Sequence, residues 1–397
     1  MLISAREAAR RLGVKPATLY AYVSRGLLRS TPAPGSRERR YYADDVDRLK
    51  RLRHAGPRTG HPPKPFDSLV PVLDTSLSLI ENGRLYLRGR DATELAETAD
   101  LEAVARLLWG PWDGGGFDIG RLRRPLRRLL HGAQSLPAAM DRARAVLVGL
   151  ATQDVGALEV STGSVARTGA RIVPALAAAV SGAMPATAPV HAELARAWRL
   201  DAEGSDLVRR CLVLATDHEL NASTYVARCI ASTGASPYAA LLGALGALSG
   251  PRHGGETDRV ETLLREALRT EDVRSVVAAR LQRGERIAGF GHPLYPDGDP
   301  RCRHILEAVK ASRHGRRSEG LLDIGRLVTE MIGRRPNIDF ALGVVSVALR
   351  LPLGSGLGMF LVGRSVGWIA HAMEQYATGT LIRPRARYVG PLPAAAQ

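Results

Sequence analysis

The chain has 397 residues, of which 45% are hydrophobic and 24% charged. This composition is typical of a globular rather than a disordered protein and allows two or three domains. No apolar run reaches the ~20 residues of a membrane helix, and residues 1–11 become charged at once, so neither a membrane span nor a secretory signal is expected. Three cysteines without CxxC spacing favour a reducing, cytoplasmic location. Because aromatics make up only 5% and Ala and Leu fill many apolar positions, we expect a mainly α-helical protein.

The net charge of +16 is concentrated at the beginning of the chain. Residues 1–60 hold 14 Lys and Arg against 5 Asp and Glu, which suggests a polyanionic partner, with nucleic acid as the first candidate. The alternative is a solvated, arginine-rich surface that reflects the codon bias of a GC-rich genome.

The first 55 residues predict a small helix-turn-helix domain. A short helix over 4–12 begins with a capping box formed by Ser4 and Glu7, and a second helix over 15–23 follows the break at Gly13. Residues 37–42 (RERRYY) read as a basic β-wing, and 45–54 as a third helix.

This segment resembles the winged helix-turn-helix of the MerR/excisionase type, in which the second helix enters the major groove and the wing contacts phosphates. The resemblance implies DNA binding, or alternatively a head that keeps this fold but docks on protein. The candidate phosphate contacts are Lys15, Arg25, Arg37, Arg39 and Arg40. Residues 56–66 (GPRTGHPPKPF) then read as a linker.

Beyond the linker, residues 67–397 predict one short hairpin followed by helices. Asn82-Gly83 between apolar runs is typical of a hairpin turn, with 85–87 as the second strand. Helical spacing of apolar residues then recurs over 101–109, 121–130, 164–184 and 188–200.

Three histidines and one aspartate in this helical part are candidates for chemistry. His218 precedes Glu219, but Ala222 stands where the zinc motif HExxH needs its second histidine, so no metal is expected. His253 lies between glycines just before a helix start, a good location for an oxyanion. His292 lies in a Gly/Pro loop, and Asp339 opens an apolar helix. Each feature alone is weak, since a lone aspartate there is more often an N-cap.

The order of these motifs resembles the citrate synthase family over about residues 67–397. That resemblance implies a nearly all-helical homodimer, with a large domain and a small domain, roughly 254–345, that close over the site. The reaction implied joins an acyl-CoA, typically acetyl-CoA, to oxaloacetate through an enol to give citrate and CoA. The thioester is a substrate, so no cofactor is implied. The matching segments are 84–91 (RLYLRGRD), 101–110, 218–224 (HELNAST), 250–255 (GPRHGG), 289–301, 337–339 (NID), 363–371 (GRSVGWIAH) and 382–385 (IRPR).

The resemblance assigns a role to each candidate. Asp339 removes the α-proton of the thioester, His253 hydrogen-bonds the oxygen of the resulting enol, and His292 polarises the oxoacid carbonyl. Imidazole and carboxylate suit this acid–base work, and arginine suits carboxylates. The carboxylates of the substrate are held by His218, Arg301, Arg364 and Arg383, the last one reaching the partner subunit's site.

Two departures from the family pattern concern the thioester. Pro296 stands where many members carry a basic residue that helps to hold CoA phosphate, and Glu256-Thr257-Asp258 replaces Ala-Asn-Glu. These changes keep open one alternative, a 2-methylcitrate synthase that uses propionyl-CoA. The helix-turn-helix head keeps open another, a DNA-bound, catalytically weak sensor of CoA thioester or citrate that kept the pocket. Retention of His253, His292 and Asp339 favours an enzyme, because a sensor needs no base.

Overall fold

The computed structural model describes residues 2–14, 18–19, 22–23, 28–32, 39–47, 73–112, 116–270, 272–384 and 390. The chain divides into two compact units, Met1–Pro71 and Val72–Gln397. Lys15, Arg25, Arg37 and the predicted linker over 56–66 lie outside the described residues.

The first unit combines a short helix with a three-stranded antiparallel sheet. Helix α1 (Ala5–Leu12) begins at Ser4, whose side chain accepts the N–H of Glu7 as predicted. The strands β1 (Leu2–Ser4), β2 (Ser30–Pro32) and β3 (Arg39–Tyr42) lie in the order β1-β3-β2. The predicted wing is therefore confirmed as a strand over its described residues.

The start of the next helix differs from the sequence prediction. Helical structure resumes at residue 43 rather than at 45, so the helix follows β3 without a connecting residue. Arg39 donates to the hydroxyl and the carbonyl of Ser30, so part of its hydrogen-bonding capacity is used within the sheet, whereas Arg40 is exposed.

The second unit opens with the predicted hairpin. Strands β4 (Ser78–Glu81) and β5 (Arg84–Leu87) pair across Asn82-Gly83, both of which have positive φ, and a two-residue strand β6 (Arg90–Asp91) completes the sheet.

The rest of the second unit is helical as far as the structure describes it. Short 3-10 turns lie at Gly120–Leu122 and Val155–Leu158. The helices are α2 (Ala92–Thr98), α3 (Leu101–Trp109), α4 (Arg123–Gly132), α5 (Ala139–Ala151), α6 (Thr162–Ser181), α7 (Val190–Ala197), α8 (Ala202–Ala215), α9 (Ala222–Ala231), α10 (Pro237–Leu248), α11 (Gly255–Ala267), α12 (Val273–Gln282), α13 (Pro300–Ala311), α14 (Gly315–Ile332), α15 (Ile338–Ala348) and α16 (Ser355–Thr378).

Many of these helices begin where a short polar side chain caps the first turn. The caps place functional residues: Asp299 and Asn337 cap α13 and α15, and Arg301 and Asp339 follow two residues later in each case. The caps whose side chains accept a backbone N–H are Asp91, Asp100, Asp201, Asn221, Ser236, Asp272, Asp299 and Asn337.

Helix α16 forms the centre of the core and packs against α3, α6, α8, α9, α10 and α15. At Gly363 and Gly367 it touches the end of α8 so closely that an added Cβ would lie 2.4 Å from the Leu212 carbonyl oxygen and 2.2 Å from that of Thr216. Among the helices that the structure describes, none combines the length and the apolar character needed to cross a membrane.

Candidate active site

The loop between α8 and α9 holds His218 in a buried position. Its neighbour Asp217 accepts a hydrogen bond from the Ser78 hydroxyl at 2.5 Å, and Nε2 of His371 lies 3.2 Å from its other oxygen. Burial, and the nearby positive charge of Arg301, hold the pKa of His218 well below its ordinary value. His218 is therefore a neutral imidazole at physiological pH.

His292 lies in the loop 289–299, which turns back through two glycines of positive φ, Gly289 and Gly291. The N–H of Leu294 donates to Nδ1 of His292 at 3.2 Å, which leaves the ring proton of the neutral form on Nε2. Burial, helped by Arg301, lowers the pKa of His292 to about 4. The ring thus presents a neutral N–H donor.

His253 is held through the hydroxyl of Ser223, which lies 2.8 Å from its Nε2. That hydroxyl also accepts the indole N–H of Trp368 at 3.1 Å and lies 2.9 Å from Oδ1 of Asn221. Burial, with Arg364 nearby, lowers the pKa of His253 to about 4. Because Ser223 holds Nε2, Nδ1 is the ring nitrogen left for a substrate.

Asp339 is the second residue of α15, whose cap is Asn337. The carboxylate is half-buried and accepts the Thr257 hydroxyl at 2.5 Å. Burial raises the pKa of Asp339 to about 6 despite that hydrogen bond. A carboxylate of this kind is a stronger base than an exposed aspartate and is still ionised at neutral pH.

Arg301 is buried and forms a two-pronged ion pair with Asp299, at 3.0 Å from Nε and 2.8 Å from Nη2. The same carboxylate accepts the N–H of Ile338, which joins the start of α13 to the start of α15. The pair therefore fixes Arg301 close to the helix turn that carries Asp339.

Arg364 is a buried cation on α16, 1% exposed. Its Nε donates to the carbonyl oxygen of Ala215 at 2.7 Å, and its guanidinium lies 4.7 Å from the centre of the Phe360 ring. Burial lowers the pKa of Arg364 to about 10, and its Nη1 has no hydrogen-bond partner among the residues that the structure describes. An unpaired, buried guanidinium N–H is suited to receiving a carboxylate.

Contacts between these side chains bring most of the candidates into one site. The rings of His218 and His292 meet edge to face at 4.9 Å, and Phe360 contacts His253 as well as Arg364. The negative charge of Asp339 lies close enough to Arg301 and Arg364 to favour the charged form of both guanidinium groups.

Arg383 is the exception among the described site residues. It is exposed in the irregular segment that follows α16, and no contact within the described part of the chain joins it to the others.

Several side chains of the site have no role predicted from the sequence, among them Ser223, Thr257, Tyr295 and Phe360. Three of them lie within a few residues of a predicted histidine, and Phe360 is four residues before Arg364, on the same face of α16. Neighbourhood to a motif was the available signal, but the partner of each depended on which loops meet in space.

The arrangement is suited to proton transfer at carbon next to a carbonyl group. It offers one ionised carboxylate as a base, neutral imidazoles as hydrogen-bond donors and buried guanidinium groups for anions. In the described part of the chain, no group of three or more His, Cys, Asp or Glu side chains is arranged to hold a metal ion.

Comparison with curated proteins identifies relatives of the second unit. Over 187 residues the chain is 44% identical to "Putative citrate synthase 2" of Mycobacterium tuberculosis (strain ATCC 25618 / H37Rv), a match that covers 46% of this chain and only 50% of that protein. It is 30% identical to "Citrate synthase 2" of Bacillus subtilis, over 82% of this chain and 95% of the relative. It is 28% identical to "2-methylcitrate synthase 1" of Corynebacterium glutamicum, over 80% and 92%.

Solved structures share the fold. The citrate synthase of Thermotoga maritima matches with a TM-score of 0.67 and 27% identity, over 83% of this chain and 96% of that one. The Thermoplasma acidophilum citrate synthase, solved as a ternary complex with carboxymethyl coenzyme A and oxaloacetate, matches with a TM-score of 0.66 and 24% identity, over 83% and 96%.

Family models account for both units of the chain. Residues 3–56 match the model of the MerR HTH family regulatory protein, and residues 68–385 match that of the citrate synthase C-terminal domain. Since the second match spans well over half of the 397 residues, the chain belongs to the citrate synthase family.

Proposed function

We propose that the second unit condenses an acyl-CoA, in the first place acetyl-CoA, with oxaloacetate to give citrate and CoA. The observation that carries this proposal is that Asp339, the neutral histidines His253 and His292, and the buried arginines Arg301 and Arg364 lie in one site. The relatives and the solved ternary complex support the same reaction.

In the first step, Asp339 takes the α-proton of the thioester. The thioester is a weak carbon acid, so the developing oxyanion needs a donor, and one preorganised donor contributes about 3–4 kcal/mol. His253 fills this role from Nδ1 when the Ser223 hydroxyl donates to Nε2, because that hydrogen bond places the ring proton on Nδ1. The hydroxyl has a second acceptor in Asn221, so its orientation sets the tautomer of His253.

In the second step, the enol attacks the keto carbon of oxaloacetate. The Nε2–H of His292 polarises the keto oxygen, and His218, Arg301 and Arg364 surround the two carboxylates. The free Nη1 of Arg364 offers an unused donor for one of them. Arg383 would complete the site of the partner subunit.

Pro296 offers the CoA phosphates no basic side chain, but two arginines lie close to its loop. The side chain of Arg335 packs against Gly298, with the nearest atom 3.0 Å from an ideal Cβ, and a terminal nitrogen of Arg303 lies 4.0 Å from the same point. Both residues line a cavity of about 480 Å³ next to Phe340. These arginines are our candidates for holding the CoA phosphates.

Two further functions are weighed against this one. Propionyl-CoA as the acyl donor is supported by the likeness to a 2-methylcitrate synthase. A catalytically weak sensor is supported by the helix-turn-helix match at residues 3–56, although such a sensor would have no use for the raised pKa of Asp339.

A thiol-release assay separates these possibilities. The full-length protein is given oxaloacetate with acetyl-CoA or with propionyl-CoA, and each thioester alone serves as the control. We expect CoA release that depends on oxaloacetate and is faster with acetyl-CoA. Preference for propionyl-CoA would make the chain a 2-methylcitrate synthase, and no release with either thioester would overturn the proposal in favour of the sensor.

We propose that residues 1–55 form a DNA-binding head, that 56–66 form a linker, and that 67–397 form the enzyme with a small subdomain over 254–345. The residues of the head proposed to contact phosphates are Lys15, Arg25, Arg37, Arg39 and Arg40. We propose a cytoplasmic homodimer. The three cysteines are free, and apolar side chains on α5 and in the following turn are exposed, as at a subunit interface.

A further inference from the structure

Tyr295 has contacts that none of the assigned roles uses. Its side chain is 3% exposed, and its hydroxyl lies 3.0 Å from Nε2 of His218. Its ring centre lies 5.4 Å from that of His218 and 4.9 Å from that of His292, and the guanidinium of Arg301 lies 5.6 Å from it. One aromatic ring thus touches three residues of the proposed oxoacid site.

The direction of the hydrogen bond to His218 follows from the proposed role of that imidazole as a donor to a substrate carboxylate. The neutral ring has one N–H and one lone pair. Nε2 is the nitrogen that faces the Tyr295 hydroxyl, so Nδ1 is left for a substrate carboxylate. In the tautomer that donates from Nδ1 to that anion, Nε2 carries the lone pair and the Tyr295 hydroxyl donates to it.

This bond also connects two separate parts of the site. His218 belongs to the loop between α8 and α9, while Tyr295 belongs to the loop 289–299 that carries His292. With the hydroxyl in place, the His218 ring is fixed in one tautomer and one orientation against His292.

We propose that Tyr295 is a positioning residue for the oxoacid site, which it assembles by holding His218 against His292. The proposal rests on the proposed function, because it assigns the group that orders the oxaloacetate half of the site. Tyr295 is not a catalytic residue in this scheme, since its hydroxyl is directed at His218 rather than at the reacting atoms.

The test compares Tyr295→Phe with Tyr376→Phe in the full-length protein. Each substitution deletes one phenol hydroxyl that makes a hydrogen bond, from a buried side chain at Tyr295 and a half-buried one at Tyr376. Tyr376 is the control because its hydroxyl donates to the carbonyl oxygen of Ala235, away from the site. We expect Tyr295→Phe to raise the KM for oxaloacetate about tenfold, as loss of one well-placed hydrogen bond does, and to change the KM for acyl-CoA less than twofold. Tyr376→Phe should change neither constant.

A second measurement reports on His218 itself. In ¹⁵N-labelled protein, the Nε2 resonance of His218, assigned with a His218→Gln variant, should shift in Tyr295→Phe and stay in place in Tyr376→Phe. An unchanged KM for oxaloacetate together with an unchanged resonance would overturn the proposal. So would an equal rise in both KM values, which indicates a structural role only.

Failure of the proposed function is distinguishable from failure of this inference. If the wild-type protein releases no CoA, the condensing activity is wrong, but calorimetric titration with oxaloacetate still measures the site. A tenfold weaker Kd in Tyr295→Phe alone would then support the positioning role, and equal Kd values in wild type and variant would overturn it.

Discussion

At the scale of single residues, the protein separates the base from the donors by their surroundings. Burial raises the pKa of Asp339 to about 6 and lowers those of His253 and His292 to about 4. Near pH 7 the carboxylate is consequently charged while both imidazoles are neutral. This is the combination that proton abstraction next to a carbonyl needs, because a protonated carboxyl cannot take a proton.

Asp339→Asn tests the base directly. The amide keeps the shape and can still accept the Thr257 hydroxyl, so oxaloacetate should bind within about twofold of wild type. Turnover should fall by about 10²–10⁴, the usual contribution of a general base. Thiol release and calorimetry measure the two effects. Asp258→Asn, on the neighbouring helix α11, is the control, and near-normal turnover in Asp339→Asn would refute the assignment.

The pH dependence of kcat/KM follows from the same shifts. As the pH falls through about 6, Asp339 gains a proton and activity should decline with the slope of a single proton, while the histidines stay neutral down to about 4. The Thr257 hydrogen bond lowers the pKa of Asp339, so Thr257→Val should move this limb to higher pH. An acid limb near pH 4, unmoved in the variant, would contradict the prediction.

Glu102 gives a test of stability away from the site. Burial raises its pKa to about 7, so the folded state binds a proton more tightly than the unfolded chain does. The stabilisation is complete below the unfolded value, near pH 4.5, and is lost as the pH rises through about 7. Glu102→Gln should therefore raise the free energy of unfolding at pH 8 by about 2–3 kcal/mol and have little effect at pH 4.5.

Chemical unfolding at the two pH values measures this difference. Glu94→Gln is the matched control, because Glu94 lies on the preceding helix α2 and is exposed. Equal effects of Glu102→Gln at both pH values would show that the buried carboxyl does not titrate as described.

At the scale of elements, turn residues and apolar periodicity determined much of what could be predicted. The hairpin at Asn82-Gly83 and the helix over 101–109 have strong local signals, and both are confirmed. The predicted stretch 121–130 begins instead as a 3-10 turn, and its α-helix starts at Arg123. Ends of this kind depend on tertiary packing as much as on propensity.

The site was predictable as a set of residues but not as a set of contacts. His253, His292 and Asp339 lie in motifs whose order identifies them. That Asn337 rather than Asp339 caps α15, or that Tyr295 meets His218, depends on which loops fold together. No pattern within one segment carries that information, because the partner lies 77 residues away in the second case.

Helix α16 offers a test at this scale. The carboxylate of Glu261, on α11, accepts the N–H groups of Gly356 at 2.7 Å and Gly354 at 3.2 Å, where α16 begins. Glu261→Ala leaves these buried donors unpaired and should cost about 1–3 kcal/mol of folding free energy, measured by urea unfolding. The control is Glu266→Ala, on the same helix α11 as Glu261, which removes an exposed ion pair with Arg280 and should cost well under half as much folding free energy. Equal costs of the two substitutions would refute the capping role of Glu261.

At the scale of the whole molecule, the chain joins a unit whose proposed partner is DNA to a unit whose proposed substrates are an acyl-CoA and oxaloacetate. The mainly helical class and the two families were predictable from composition and motif order, and both are confirmed. The homodimer stays a prediction that rests on the resemblance, because a subunit interface is built from surface residues with no local sequence signature. Exposed apolar side chains now supply a specific candidate: Val148 is 54% exposed, Val155 74% and Leu158 77%.

Val148→Glu should therefore split the proposed homodimer. A charge placed on an apolar interface is left desolvated and unpaired in the assembled state, so light scattering should show the mass of one chain where the wild type shows two. Turnover should fall in parallel, because the proposed site takes Arg383 from the partner. Leu268→Glu, at a side chain that is 50% exposed on a different helix end, should change neither property, and a wild-type monomer would overturn the proposal.

The close approach of α16 to α8 limits how this pocket can change in evolution or by design. With two glycines seated against backbone oxygens at 2.4 and 2.2 Å from any added carbon, the wall that presents Arg364 has no slack, and enlarging a side chain there would separate the helices. Room for a bulkier oxoacid must therefore be made away from this helix pair. Selection for new substrates should leave the two glycines and their contacts with α8 unaltered.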